Sequence, residues 1–247
     1  MKPYVICHMN SSVDGRILGS RWRPSENRMA GLFERLHEKL GGGSWLIGRV
    51  TGSEYAKAQA YARHTDQTYP REPWFARRDA KAYGIALDAQ GKIAWGRSDI
   101  GGDPVVAVLT EQVSDAHLAG LRQDGVSYIF AGERELDLGL ALEILNRELG
   151  IERLLLEGGG GSNGAFLRAG LIDEISLAIC PVVDGAKGAP SVFDSSDRDA
   201  GVSAPITSMT LASTESRPSQ RGWKPLVGCR PSKEGMPLNA KLRAMMR

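Results

Sequence analysis

The chain has 247 residues, enough to bury a core of its own, and reads as one large α/β domain. A formal net charge of +2 with mixed acidic and basic residues excludes a nucleic-acid surface built on a broad basic field. No apolar run reaches the length of a membrane span or a signal peptide, and Cys7, Cys180 and Cys229 lack Cys-x-x-Cys spacing, so buried thiols in a soluble, cytoplasmic protein are expected.

Tyr4 to Met9 is a strand that feeds the polar stretch Asn10 to Arg16. Met29, Leu32, Phe33, Leu36 and Leu40 recur at helical spacing, with Ser25 as N-cap and Gly41-Gly42-Gly43 as the stop. Trp45 to Ile47 is the next strand and ends in Gly48-Arg49-Val50-Thr51, after which Glu54 to Ala62 is expected to be helical. Residues 63–82, polar and broken by Pro70 and Pro73, form an active-site loop or an insertion. Tyr83 to Leu87 and Lys92 to Trp95, separated by Asp88-Ala89-Gln90-Gly91, predict a hairpin. Val105 to Leu109 is a strand ending in Thr110, followed by a helix near Val113 to Arg122 and a strand from Val126 to Phe130 that ends in Ala131-Gly132. Asp137 precedes another helix, which returns to the strand Arg153 to Leu156. Ile172 to Ile179 is a strand, and residues 181–200 form a long connection. Ile206 to Ser213 and Trp223 to Gly228 predict a terminal antiparallel pair. A basic tail over residues 232–247 follows a domain over residues 1–231. The pattern gives a mostly parallel central sheet with an antiparallel C-terminal edge and helices on both faces.

The densest signal is Leu154-Leu155-Leu156-Glu157 followed by Gly158, Gly159, Gly160, Gly161 and Ser162. Strand, bare-backbone loop and helix in this order form a phosphate cradle, because glycines admit positive φ and the first helical N–H groups have no partner within the helix. Glu157 at the strand end is placed to accept hydrogen bonds from a sugar or a base. Three motifs overlap here. Gly159-x-Gly161-x-x-Gly164 matches the dinucleotide fingerprint, but only about seven residues separate Gly164 from the next apolar run, too few for the usual crossover to a parallel strand. Gly160-x-Ser162-x-Gly164 matches a nucleophile elbow, yet His8, His37, His64 and His117 all precede the serine. The Gly-Lys-Ser/Thr of a P-loop is absent.

Four strands end in small or polar residues, at Gly48-Arg49, Thr110, Gly132 and Glu157-Gly158. In an open parallel sheet such ends line one crevice of a length that suits a dinucleotide. Arg49 and Thr51 offer charge and a hydroxyl to its phosphates, and Thr110 a contact at the adenosine end. No histidine pair has metal spacing, so no metal is expected.

The sequence resembles the dihydrofolate reductase-like family that includes the reductase domain of riboflavin biosynthesis. Tyr4-Val5 through Ser12-Val13-Asp14-Gly15-Arg16-Ile17 is similar to the family's first strand and Ser-Leu-Asp-Gly-Arg loop, and Leu46-Ile47-Gly48-Arg49-Val50-Thr51 to its Val-Gly-x-x-Thr block. Gly150 to Gly160, with Ala165 through Glu174, is similar to its most distinctive block, and the likeness reaches about Gly228.

The resemblance implies a homodimer and NADPH as hydride donor, lying across Gly48, Arg49, Val50, Thr51, Thr110, Gly132 and the turn Gly158-Gly159-Gly160-Gly161-Ser162. It also implies reduction of the ribosyl group of an aminopyrimidine 5′-phosphate to a ribityl chain, with Asn10, Asp14, Trp22 and Glu157 around the substrate. Asp14 is the candidate for ordering a water or donating a proton, against a role as a turn cap. Where the family carries an Ala-Asp-Asp/Asn-Pro-x-Leu-Thr/Asn-x-Arg substrate stretch, this chain has Gly52-Ser53-Glu54-Tyr55-Ala56-Lys57-Ala58. Arg71, Arg77 and Arg78 either replace its phosphate-binding groups or belong to a solvated loop. Two alternatives stay open: the same fold and cofactor acting on an unrelated imine or activated double bond, and a dinucleotide-sensing module without turnover.

Overall fold

The computed structural model describes residues 1–22, 31–195, 209–211 and 229–231. Among these residues ten strands make one sheet. Seven are parallel: β1 (Tyr4–Ser11), β2 (Trp45–Gly48), β3 (Gly84–Leu87), β5 (Asp103–Leu109), β6 (Ser127–Phe130), β7 (Arg153–Leu156) and β8 (Glu174–Ile179). The order is β5-β3-β2-β7-β1-β8, with β6 on the other side of β5. The two-residue β4 (Asp99–Ile100) lies antiparallel to the start of β5. Beyond β8 come β10 (Cys229–Pro231), antiparallel to β8, and β9 (Met209–Leu211), antiparallel to β10. The expected α/β architecture with an antiparallel edge is therefore present, and the second edge strand follows the expected Trp223 to Gly228, which lies outside the described residues.

The helices are α1 (Leu32–Lys39), α2 (Arg49–Tyr55), α3 (Asp115–Gln123), α4 (Leu138–Leu149) and α5 (Gly160–Arg168). Ser114 caps α3 by accepting from the backbone of His117, and Asp137 caps α4 by accepting from Leu140 at 2.9 Å. Gly150 ends α4 at φ +65. The expected cap Ser25 of the first helix, and Met29, lie outside the described residues.

Period-two alternation sorts side chains onto two faces. Val5, Cys7, Met9, Leu46, Leu154 and Leu156 pack with Ala141, Leu142 and Leu145 of α4 and Phe166 of α5. On the opposite face Ile47, Ala86, Ala107, Leu109 and Tyr128 pack with Leu118 and Leu121 of α3. The helix α2 lies over that second face, since a Cβ on its Gly52 would meet Ile93, Ala86 and Trp95.

Three sequence expectations are corrected. The second helix begins directly at Arg49 and stops at Tyr55, because the amide of Lys57 is drawn to the carbonyl of Trp95 at 2.7 Å and the chain turns away. Lys92 to Trp95 is not the second arm of a hairpin. Both edges of β3 are taken by the parallel strands β2 and β5, and the buried Asp88 carboxylate binds the amides of Lys92 and Ile93 at 2.8–2.9 Å, folding that segment into a tight turn. The segment after Gly164, too short by its spacing for a crossover, makes one nonetheless: α5 carries the chain from β7 past β1 to a parallel β8. The nine residues of α5 and the short loop to Asp173 span the two strand spacings.

Candidate active site at the carboxyl rim of the sheet

All seven parallel strands end on one rim, which runs about 24 Å from β6 to β1 at the usual strand spacing of about 4.8 Å. At its centre β2 and β7 are neighbours; β2 runs straight into α2, and β7 reaches α5 through the three residues 157–159. Gly48 is the N-cap of α2 and Gly159 that of α5, and neither N-terminus is capped by a side chain. The Gly48 amide donates to the Gly158 carbonyl at 3.0 Å. A Cβ on Gly48 would collide with the Ser162 hydroxyl, so glycine is what lets the two helix starts touch. The Thr51 hydroxyl stands over the same spot, in van der Waals reach of positions 158 and 159. The result is two uncapped positive helix ends side by side, a geometry suited to a diphosphate.

The four glycines do not share one job. Gly159 is held at φ +65, which a side chain would strain, and Gly161 is exposed, where an added Cβ would meet nothing within 4 Å. Gly160 is buried, and a Cβ there would strike Ser191 and Asp194; the Asp194 amide donates to its carbonyl at 2.9 Å. Gly158 packs against Ile47, and Gly164 against Asp194. Gly160 is thus a packing glycine rather than an open face for a ligand. The open cradle is narrower than the sequence implied.

Beside the cradle the second face of β1 also carries polar side chains. The buried His8 of β1 donates from Nε2 to the carbonyl of Phe33 at 3.1 Å, so its Nδ1 accepts from Ser176 of β8 at 3.2 Å. Burial lowers its pKa and keeps it neutral. Its ring stacks on Phe33 at 4.3 Å between centroids. Asn10, two residues along the same face, has a buried Oδ1 with no hydrogen-bond partner among the described residues. Glu157 accepts from His37 Nδ1 of α1 at 2.7 Å, with the two side chains 11% and 19% exposed. The Glu157 hydrogen bond raises the His37 pKa against the opposing effect of burial.

A cavity of about 330 Å³ opens between α1 and α2, lined by Phe33, His37, Trp45, Thr51, Tyr55 and Glu157 together with Glu34 and Glu38. No lysine or arginine is among these lining residues. Carboxylates with one histidine, set among three aromatic rings, favour a flat ligand that presents hydrogen-bond donors.

The remaining candidates sit elsewhere. Asp14 lies in the loop after β1, where its carboxylate accepts from the Ser12 hydroxyl at 2.7 Å and from the amides of Asp184 and Gly185 at 2.9 Å. These bonds, led by Ser12, hold its pKa far below the usual carboxylate range. It ties two loops together, the cap role set against that of ordering a water or donating a proton. Trp22 is half-buried at the end of a 3₁₀ turn, Gly19–Arg21, and nothing described brings it to the cavity. The Thr110 hydroxyl donates to the Ala89 carbonyl, and Gly132 makes a turn at φ +108 that its collision with Glu135 reserves for glycine. Both shape the far end of the rim. Arg49 and Val50 are exposed at the start of α2.

Residues 63–82, expected as an active-site loop or an insertion, do not line this cavity. Arg71 is bonded to Asp115 and to the carbonyls of Tyr69, Glu111 and Val113, and Trp74 bridges to Tyr128. Arg78 pairs with Glu148 of α4 and Arg77 with Asp79. None of the three arginines lines the cavity. Sequence reasoning missed His37, Phe33 and Tyr55. His37 had a signal: it lies four residues after Phe33, hence on the same inward face of α1.

The chain matches the family described as RibD C-terminal domain over residues 3–221. It belongs to that family. Among its relatives, 2,5-diamino-6-ribosylamino-4(3H)-pyrimidinone 5′-phosphate reductase of Methanothermobacter thermautotrophicus is 38% identical over 91 residues, 37% of this chain and 41% of that protein. The Archaeoglobus fulgidus protein of the same name is 23% identical over 199 residues, 78% of this chain and 87% of the relative. The matches to the first relatives thus span well under half their length. In structure, a pyrimidine reductase-like protein of Corynebacterium diphtheriae superposes with a TM-score of 0.65 at 15% identity, covering 94% of this chain and 93% of the other. RibD of Acinetobacter baumannii gives 0.59 at 20% identity, covering 94% and 58%. At such identity the structures speak for the fold alone.

Proposed function

We propose that this member of the RibD C-terminal domain family is an NADPH-dependent reductase acting on a ribosylaminopyrimidine 5′-phosphate. The observation that carries the reading is the pair of uncapped helix starts at Gly48 and Gly159, set beside a cavity walled by Glu157 and aromatic rings. The nicotinamide coenzyme, when bound, supplies a hydride. The chain's part is to bind and align. Free amides at the starts of α2 and α5, with Thr51, Ser162 and Arg49, hold the coenzyme's phosphates, and Thr110 and Gly132 frame its far end. Glu157 accepts hydrogen bonds from sugar hydroxyls, and Asn10 offers its unpaired Oδ1 to a substrate amine or hydroxyl. Alignment of two carbons and exclusion of water carry most of the work.

The test is loss of NADPH absorbance with 2,5-diamino-6-ribosylamino-4(3H)-pyrimidinone 5′-phosphate, the compound in the relatives' name. Turnover is expected, and Gly159→Asp abolishes coenzyme binding by placing a strained side chain and a negative charge in the cradle. Normal NADPH binding by Gly159→Asp overturns the placement. Parallel titration with NADH tests the coenzyme preference, and equal affinity rejects it. We also propose a homodimer, which sedimentation at micromolar concentration checks. A second reading is favoured by one feature: with no lysine or arginine among its lining residues, the cavity also suits a small imine without a phosphate. Coenzyme binding without turnover of the pyrimidine supports that alternative or a sensing role.

A further inference from the structure

Among the described residues His37 is the only basic group lining the cavity, and it is already engaged by Glu157 through one carboxylate oxygen, Oε1. No described hydrogen bond reaches the other oxygen, Oε2. A glutamate at a strand end has three rotatable side-chain bonds, and an unclamped one loses that freedom only when the ligand arrives. We propose that His37 is a positioning residue: by holding Oε1 it presents Oε2 of Glu157 to the cavity, where it accepts a hydrogen bond from a donor on the substrate, a sugar hydroxyl or a ring amine. The inference rests on the reductase reading given above and extends it to a residue of α1.

The surroundings support the assignment. His37 faces Glu157 from β7, Glu34 and Glu38 on its own helix, Asp103 at the head of β5, Tyr55 from α2 and His8 from β1. Asp103 is held in place by the indole of Trp45 at 2.8 Å. The two aromatic neighbours add no charge, since burial disfavours the phenolate of Tyr55 and the cation of His8. His37 therefore keeps its proton above the ordinary histidine value of 6.5, chiefly through Glu157. With one cation against several carboxylates, the cavity rejects anionic groups, so the substrate's phosphate points away from this end.

The experiment is steady-state kinetics at saturating NADPH with the pyrimidinone 5′-phosphate as probe, across about pH 5.5 to 9. His37→Ala raises KM by roughly tenfold with a much smaller change in kcat, the signature of lost binding rather than lost chemistry. His37→Asn, whose side-chain amide stands near the position of Nδ1, restores most of that KM. It does not restore the increase in KM that the wild type shows as His37 loses its proton. A merely structural role would move both variants alike and leave the pH dependence intact, and either that result or an unchanged KM in His37→Ala overturns the proposal. The pair itself is tested without substrate: the ring nitrogens of His37, followed by NMR, titrate above 6.5 in the wild type and fall back in Glu157→Gln. An unmoved titration refutes the clamp. If the wild type turns over nothing, the reductase reading fails, while the ring titration still decides the pair.

Discussion

The two faces of β1 and β7 are built from adjacent residues and differ in kind. On one, Val5, Cys7, Met9, Leu154 and Leu156 belong to the apolar cluster that includes α4; on the other, His8 and Glu157 meet Phe33 and His37 of α1, and Asn10 lies along the same face. The first face removes side chains from water and burial there drives folding, so strongly that the Cys7 thiol is pushed up to about 12. The second keeps polar groups at depth, where each must find a partner, and one of them, Asn10 Oδ1, has none among the described residues. Where β1 and β7 reach the rim, packing on one face leaves the other able to hold polar groups.

The comparison breaks most visibly at Leu154, which is fully buried in the apolar layer. Leu154→Ala is expected to cost about 2–5 kcal/mol in urea unfolding. The folded fraction should bind NADPH as the wild type does, and a parallel loss of affinity would show that the faces are not separable. Next come two neighbouring glycines. Gly160→Ala forces the 191–194 segment to shift and should destabilise by about 1–3 kcal/mol. Gly161→Ala meets nothing and should gain up to about 1 kcal/mol of helix stability while weakening NADPH binding, measurable by calorimetry alongside thermal melts.

A smaller effect separates the rim from both faces. Asp14 has a depressed folded pKa, so its contribution is complete above its ordinary value of 3.8 and is lost as pH falls through the folded value. Acid unfolding of Asp14→Asn should accordingly be shallower below about pH 4 than that of the wild type. Smallest of all, Arg77→Ala should change stability by less than about 0.5 kcal/mol, since its pair with Asp79 is solvent-exposed.

The strands were legible because Val105 to Leu109 and Leu154 to Leu156 are apolar runs bounded by glycine or a polar residue, and the cradle because glycines after Glu157 interrupt such a run. What each glycine does was not legible. Gly160 and Gly161 are identical in sequence, and only the distant loop carrying Ser191 and Asp194 tells them apart. Lys92 to Trp95 has a strand's alternation, but the edges of β3 were already occupied by partners from elsewhere in the chain, a competition that no local window contains. His37 gave a helical-face signal without a partner, because Glu157 lies 120 positions away.

The strand order β7-β1-β8 has a further consequence for how the protein is made. Of the described strands β1 is synthesised before the rest, yet it is flanked on both sides by strands encoded after residue 152, so its two hydrogen-bonding edges stay bare while residues 12–152 are made. Nascent chains halted before Arg153 should therefore be the species that chaperones hold and that aggregates most readily, and adding the stretch through Ile179 should relieve it.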